Sequence, residues 1–382
     1  MTPVDAQTGS VFDDCPDRMD TDSLKWSRYR GRDVLPLWVA DMDVVCATPI
    51  LDALAKRVQH GVFGYGIARP DDYAAVVDWV QSRHGWAIQK DWVVWLPGLV
   101  PGLNVACRAF AETTDEVLTF TPVYPPFLTA PVLSQRKLIT CPLCRDCDRY
   151  TFDMDALAQA VTPRTRLLLL CSPHNPVGRV WRRDELERLA AFCLSRNIVL
   201  CSDEIHCDLV LEESCRHIPT ATLSPEVAER TVTLMSPAKT FNTPGLNCGF
   251  AIIPNLSLRK QFVRAAQGIL PHVNVMGYAA CRAALTQGEP WRQRLIAELR
   301  QHRDIVFEAV NAIPGLSMGK VEATYLAWID ATGLNIEHPA KWFEQAGVGV
   351  SDGADFGQKG FVRLNFGTSR SRLQTALNRL RL

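Results

Sequence analysis

The chain has 382 residues, 47% hydrophobic and 21% charged, a composition that fits a globular protein with a large core and excludes a disordered or fibrous one. Lys plus Arg number 41, as do Asp plus Glu, so no basic excess points to nucleic acid or to an anionic membrane. No apolar run approaches the roughly 18–20 residues of a membrane span. The acidic N-terminal stretch lacks a basic-then-apolar signal pattern, so the expected location is cytoplasmic.

At roughly 100–200 residues per domain, the length suggests two or three domains. Residues 1–48 read as a polar arm ending in Leu-Pro-Leu-Trp-Val-Ala-Asp-Met-Asp at 35–43, a short apolar segment closed by two carboxylates. Thr48-Pro49 opens a predicted helix, with Thr48 as its N-cap and Gly61 as its C-cap. Phe63-Gly-Tyr65-Gly then pins an aromatic in a turn, and residues 71–84 predict a further helix.

From there strand and helix alternate. The strand-like runs are 92–96, 117–120, 167–170, 198–201, 232–235 and 250–253, with an amphipathic helix at 184–196. Several runs are continuously apolar, as in strands buried on both faces of a mostly parallel sheet. The prediction is an α/β fold, with a large domain at 49–288 whose helices flank that sheet. After about residue 290 the texture changes to a long charged helix at 291–312, two further strand-like runs and a basic C-terminal helix. This predicts a smaller α+β domain at 289–382, completed by the N-terminal arm.

The 13 cysteines mostly sit inside apolar runs, where a thiol behaves as a small hydrophobe. Cys141-Pro-Leu-Cys144-Arg-Asp-Cys147 holds two overlapping CxxC pairs, but Thr151 stands where a fourth ligand would fall, and no metal is expected.

Ligands of open α/β sheets bind outside the carboxyl ends of the strands. After 92–96 comes Pro97-Gly98-Leu99-Val100, a glycine turn opening a helix and hence a phosphate seat. After 117–120 comes Tyr124 in a proline-rich turn, and after 167–170 comes Asn175 between Pro173 and Pro176. After 198–201 come Asp203 and His206, and after 232–235 come Ser236 and Lys239. A lysine held at a strand end can be desolvated, which frees its amine for Schiff-base chemistry. Phosphate seat, flat aromatic, amide, carboxylate and lysine at one sheet edge are the parts needed to hold pyridoxal 5'-phosphate on Lys239.

The chain resembles the fold-type-I pyridoxal-phosphate enzymes, the aspartate aminotransferase superfamily, over essentially its whole length. The segment at 35–43, Gly61-Val-Phe-Gly-Tyr65, Ser172-Pro-His-Asn175-Pro-Val-Gly-Arg-Val-Trp181, Ser202-Asp-Glu-Ile-His206 and Arg363-Leu-Asn-Phe-Gly resemble its cystathionine β-lyase (carbon–sulfur lyase) branch, which includes bacterial modulators of maltose gene expression. The resemblance implies that Lys239 forms the Schiff base and acts as base at Cα. It makes Asp203 the partner of the ring nitrogen, Asn175 a donor to the ring oxygen, and Tyr124 the stacking aromatic. His206 stands where related enzymes have a tyrosine. Ser236 and the backbone at Gly98, Leu99 and Val100 hold the phosphate. Arg363 clamps the substrate carboxylate with Asn175 and Ala40, and Tyr65 reaches the partner subunit's phosphate across a homodimer with shared sites. One position departs from the pattern: Asn247 stands where many aminotransferases place a phosphate-binding arginine.

The expected activity is β-elimination from L-cystathionine or related L-cysteine S-conjugates. An aminotransferase shares every residue named, up to the carbanion, and remains an alternative. A regulatory protein that binds a transcription factor is a third reading.

Overall fold

The computed structural model describes residues 10–13, 15–146 and 149–381. Seven strands form the central sheet: β1 (Val93–Leu96), β2 (Glu116–Thr121), β3 (Lys137–Pro142), β4 (Thr165–Cys171), β5 (Val199–Asp203), β6 (Thr231–Met235) and β7 (Gly249–Ile252). Their spatial order is β1-β7-β6-β5-β4-β2-β3. Neighbours from β6 through β3 pair in parallel, whereas β7 runs antiparallel to both β6 and β1. The carboxyl ends of β1, β2, β4, β5 and β6 therefore lie along one edge.

The continuous apolar runs have the predicted cause. On β4, Leu167 and Leu169 pack with Leu103, Ala106 and Phe262, whereas Leu168 and Leu170 pack with Leu186, Leu189 and Cys193. Alternate side chains of one strand thus feed two different helix layers. Helices Leu99–Phe110 and Leu256–Ala266 cover one face and Arg183–Ser195 the other.

The edge strand β3 was not expected, because most of its side chains are not buried and it lacks the apolar run of its neighbours. Beyond it, Cys144–Asp146 and Arg149–Thr151 form an antiparallel hairpin. Cys141 is buried and Cys144 exposed, and Cys147 lies outside the described residues. The helix expected to start on a Thr48 cap spans Thr48–His60 instead, with Ala47 at the cap position and no side-chain cap. Thr48 is already helical, and Pro49 occupies a first-turn position that needs no N–H donor. Gly61 closes it at φ 73°, as expected of a left-handed C-cap.

Towards the C-terminus, β8 (Leu326–Asp330), β9 (Ser351–Asp352) and β10 (Phe361–Asn365) form a three-stranded antiparallel sheet, ordered β8-β10-β9. The long helix Glu289–Asn311 precedes it. The N-terminal arm joins this region, since the short strand Leu35–Pro36 pairs in parallel with Val348–Gly349.

Candidate active site

A cavity of about 270 Å³ opens at the carboxyl edge of the central sheet. The turns after β1, β2, β4, β5 and β6 all contribute to its wall, bringing Gly98, Leu99, Val100, Tyr124, Asn175, Asp203, His206, Ser236 and Lys239 together. Ala40 reaches it from the N-terminal arm.

Gly98 adopts φ 124°, a conformation L side chains rarely take, at the start of helix Leu99–Phe110. The backbone N–H groups of the first turn lack intrahelical partners and face the positive end of the helix dipole. Below this turn, β7 begins at Gly249, where an added Cβ would sit 2.5 Å from Leu99 Cδ1 and 3.2 Å from the Met235 carbonyl oxygen. A side chain at this position would therefore crowd Leu99, the first residue of the helix. Asn247 lies beside it in the left-handed region at φ 50° and also lines the cavity. Ser236 sits at the wall with its hydroxyl already engaged: Oγ donates to the Cys248 carbonyl at 2.7 Å and accepts from Ala238 N–H at 3.1 Å.

Asp203 ends β5 and is 5% exposed. One oxygen accepts the Ile205 N–H at 3.1 Å. Burial pushes its carboxyl up to about 7, against the smaller opposing effect of that bond. His206 follows on the same turn, 2% exposed, with Nδ1 lacking a hydrogen-bond partner. Burial, with Lys239 and Arg363 nearby, lowers its pKa to about 3, so the ring is neutral at physiological pH.

Lys239 donates to the Ala40 carbonyl at 2.5 Å. Burial lowers its pKa to about 8; Asp41 and Asp203 oppose the shift and Arg363 adds to it. Arg363 lies on β10, 4% exposed, with Nη1 3.0 Å from Asn175 Oδ1 and Nη2 3.0 Å from the Trp38 carbonyl. Its Nε has no partner. Desolvation lowers its pKa to about 10, which leaves it charged at neutral pH. Tyr124 donates its N–H to the Asn175 carbonyl at 3.0 Å, which joins two of the strand-end turns.

Sequence reasoning missed the framework behind Ala40. Five successive carbonyls, 38 to 42, each accept a side-chain bond. Trp38 takes Arg363 and Ser351, Asn365 Nδ2 serves both Val39 and Asp41 at 2.7 Å, and Met42 takes Asn242 at 3.0 Å. The Ala40 carbonyl accepts from Tyr325 Oη at 3.0 Å as well as from Lys239. Tyr325 is fully buried, and its signal was hidden inside a run that reads only as a strand. The carboxylates of the 35–43 segment face the arm: Arg18 meets Asp41 and Asp43 at 2.7 and 2.9 Å, and the buried Lys25 meets Asp43 at 3.1 Å.

Two sequence-named site residues are not part of the cavity wall: Arg363, which stands behind it and reaches the lining residue Asn175, and Tyr65. Tyr65 is fully exposed.

The donor set suits a phosphorylated pyridine aldehyde. It offers a helix N-terminus over a glycine, a desolvated carboxyl lacking a cationic partner, an unpartnered neutral imidazole and a depressed lysine. A family model for aminotransferase class I and II matches residues 44–380.

The chain belongs to the class I and II aminotransferase family.

It is 35% identical to the cystathionine beta-lyase PatB of Bacillus subtilis, over 97% of this chain and 98% of that protein. The crystal structure of OvoB superposes with a TM-score of 0.93 at 47% identity, covering 95% of this chain and 96% of that one. Cystalysin from Treponema denticola, whose crystal structure contains pyridoxal 5'-phosphate, superposes at 0.92 with 33% identity and 96% of each chain covered. The fold is that of the pyridoxal-phosphate-dependent aminotransferases, and pyridoxal 5'-phosphate is the cofactor.

Proposed function

We propose that this family member is a carbon–sulfur β-lyase that converts L-cystathionine, or a related L-cysteine S-conjugate, to a thiol, pyruvate and ammonia. Its 35% identity over nearly the full length to a cystathionine beta-lyase carries the reading. The residues at the cavity supply the parts it needs.

When bound, pyridoxal phosphate supplies an electron sink conjugated to the substrate Cα. Lys239 would hold it, Asp203 would keep its ring nitrogen protonated, and Asn175 and His206 would serve its ring oxygen. Tyr124, on the cavity wall, would offer the ring an aromatic surface. The N–H groups at Gly98, Leu99 and Val100 would take the phosphate together with Ser236, whose hydroxyl would have to rotate away from the Cys248 carbonyl to donate. Arg363 offers its unpartnered Nε and one Nη to the substrate carboxylate as a two-pronged clamp. The clamp sets the Cα–H bond within reach of Lys239, and the backbone of Ala40 lines the same end of the site. The free amine of Lys239 takes the Cα proton, and the Ala40 carbonyl accepts a hydrogen bond from the resulting ammonium. The Cβ–S bond then breaks with its electron pair on sulfur. Water completes the conversion of the three-carbon fragment to pyruvate and ammonia.

The working unit in this reading is a homodimer. Val62, Phe63, Tyr65 and Ile67 are all exposed on one short segment, and Leu51 and Val58 of the preceding helix add to the apolar surface. A second copy covers that surface and receives Tyr65 at its phosphate seat. The domain division at 48/49 and 288/289 belongs to the same proposal, supported by the separate sheets and by the pairing of the arm with Val348–Gly349. No helix among the described residues is long and apolar enough to cross a membrane, in keeping with a proposed cytoplasmic enzyme that acts on a small amino acid. Purified protein given L-cystathionine tests the activity: equal release of homocysteine and pyruvate supports it, and an inert substrate contradicts it.

A further inference from the structure

Away from the cavity, three ligand-type side chains converge where helix Pro70–His84 ends. A ring nitrogen of His84, the sulfur of Cys207 and a carboxylate oxygen of Asp208 all lie within 4.8 Å of one another. His84 Nε2 and Asp208 Oδ1 are 3.2 Å apart, with both side chains 5% exposed. They are close enough for an ion pair, His84 helps, against the effect of burial, to hold the Asp208 carboxyl below the ordinary carboxylate range, and neither atom has a further hydrogen-bond partner. Two ligands each about 2.0 Å from one tetrahedral zinc stand about 3.3 Å apart with their lone pairs turned off the line joining them. The His84–Asp208 pair has that spacing.

The surroundings are those of a ligand set. Trp79 Nε1 donates to Asp208 Oδ2 at 3.0 Å, which orients the carboxylate and leaves Oδ1 turned towards His84. A cavity of about 650 Å³ adjoins the three residues and gives water access. Two cations stand beside the set, each also paired with Glu289. Arg83, one-third exposed, lies 4.0 Å from Asp208 Oδ1 and 3.4 Å from Glu289. Arg292 pairs with Glu289 at 2.7 Å and gives Nη1 to the Asp208 backbone carbonyl, not its carboxylate. His217 is held by Glu204 at 2.7 Å, beside the His84 ring but not part of the set.

We propose that His84, Cys207 and Asp208 form a binding site for a borderline-soft divalent cation, zinc foremost, with a water molecule as fourth ligand. Mixed imidazole, thiolate and carboxylate donors suit zinc and select against calcium and magnesium. On binding, Cys207 releases its thiol proton to solvent and the sulfur–metal bond replaces the S–H bond. The sulfur moves inward by on the order of 1 Å to reach bonding distance. The ion ties the end of the helix to the turn that carries Asp203 and His206, which precede Cys207 by four positions and one.

Cobalt titration tests this on the full-length protein with its cofactor, after dialysis against a chelator. A single equivalent per chain should give tetrahedral-type visible bands and a sulfur-to-cobalt charge-transfer band, both displaced by zinc. Cys207→Ser should abolish the charge-transfer band, and His84→Gln should weaken zinc binding at least about tenfold, the size of effect expected for a lost metal contact. His84→Gln also serves where Cys207→Ser fails to fold. Cys144→Ser should change neither. The proposal is overturned by the absence of saturable binding, by binding that survives both substitutions, or by binding that disappears with Cys144→Ser.

Discussion

The Arg363 guanidinium donates to the side-chain oxygen of Asn175 at 3.0 Å, across the 188 residues that separate them in the chain. The contact fixes which way the Asn175 amide faces: with its oxygen on Arg363, its NH2 group is left for the cavity. It also occupies one prong of Arg363, so a substrate carboxylate must be met by Nε and a rearranged Nη. Arg363→Lys keeps the charge but loses the planar fork. The expected result is a fall in kcat/KM of about 100-fold, the scale of a lost positioning contact. Arg363→Ala should also lower the melting temperature, because burying the Asn175 side-chain oxygen unpaired costs about 1–3 kcal/mol, while the Trp38 carbonyl keeps its bond from Ser351. Steady-state kinetics and thermal melts on the two variants check both statements.

Asp203 makes a pH prediction that changes sign with the cofactor. In the cofactor-free chain, burial pushes its carboxyl up to about 7 from an ordinary 3.8. Between those values the native state binds more protons than the unfolded chain. The stabilisation is complete below the ordinary value and is lost as pH rises through about 7. Cofactor-free Asp203→Asn should therefore melt higher than cofactor-free wild type near pH 8, with the gap closing towards about pH 4. With cofactor the order should reverse at neutral pH, because the ring nitrogen loses its counter-charge. Melting curves across pH for both forms decide it.

Lys239 should behave as an amine of pKa about 8 in the cofactor-free chain. Its free-amine fraction grows as pH rises, so modification at Lys239 by an amine-reactive reagent should increase with a midpoint near that value. Surface lysines should respond more than a unit higher, given an ordinary lysine pKa of about 10.4. A Lys239 midpoint that coincides with the surface lysines would remove the desolvation argument.

Much of this was legible in the sequence because burial on both faces leaves an uninterrupted apolar run. Leu167 to Leu170 announces a central strand, and the residues just beyond it fall at the ligand edge by topology. Edge strand β3, with most of its side chains outside the core, carries no such signal. Tyr325 was missed for a related reason: a tyrosine inside an apolar run looks like packing, and its role depends on a carbonyl 285 residues away. The carbonyls of residues 38–42 have no side-chain signature at all.

Gly249 offers a test of the phosphate seat. Gly249→Ala would drive a methyl group to 2.5 Å from Leu99 Cδ1. The Leu99 side chain beside the turn at Gly98 must then move, and the protein should keep its fold but release cofactor faster on dialysis. Retention equal to wild type would show that the seat tolerates the displacement.

Tyr65 tests the shared site. Tyr65→Phe should weaken cofactor retention without changing the melting temperature of the cofactor-free chain, since the side chain is exposed within its own protomer. Mixing a Tyr65→Ala protein with a Lys239→Ala protein should restore activity through hybrid dimers that hold one intact site. No recovery after verified subunit exchange would place Tyr65 outside the site.

The most direct test of the central claim is product analysis with L-cystathionine in the presence and absence of an added 2-oxo acid. The account predicts homocysteine, pyruvate and ammonia in equal amounts without the oxo acid, at a rate the oxo acid does not raise. Turnover that requires the oxo acid and returns its amino acid would contradict the account and establish the protein as an aminotransferase.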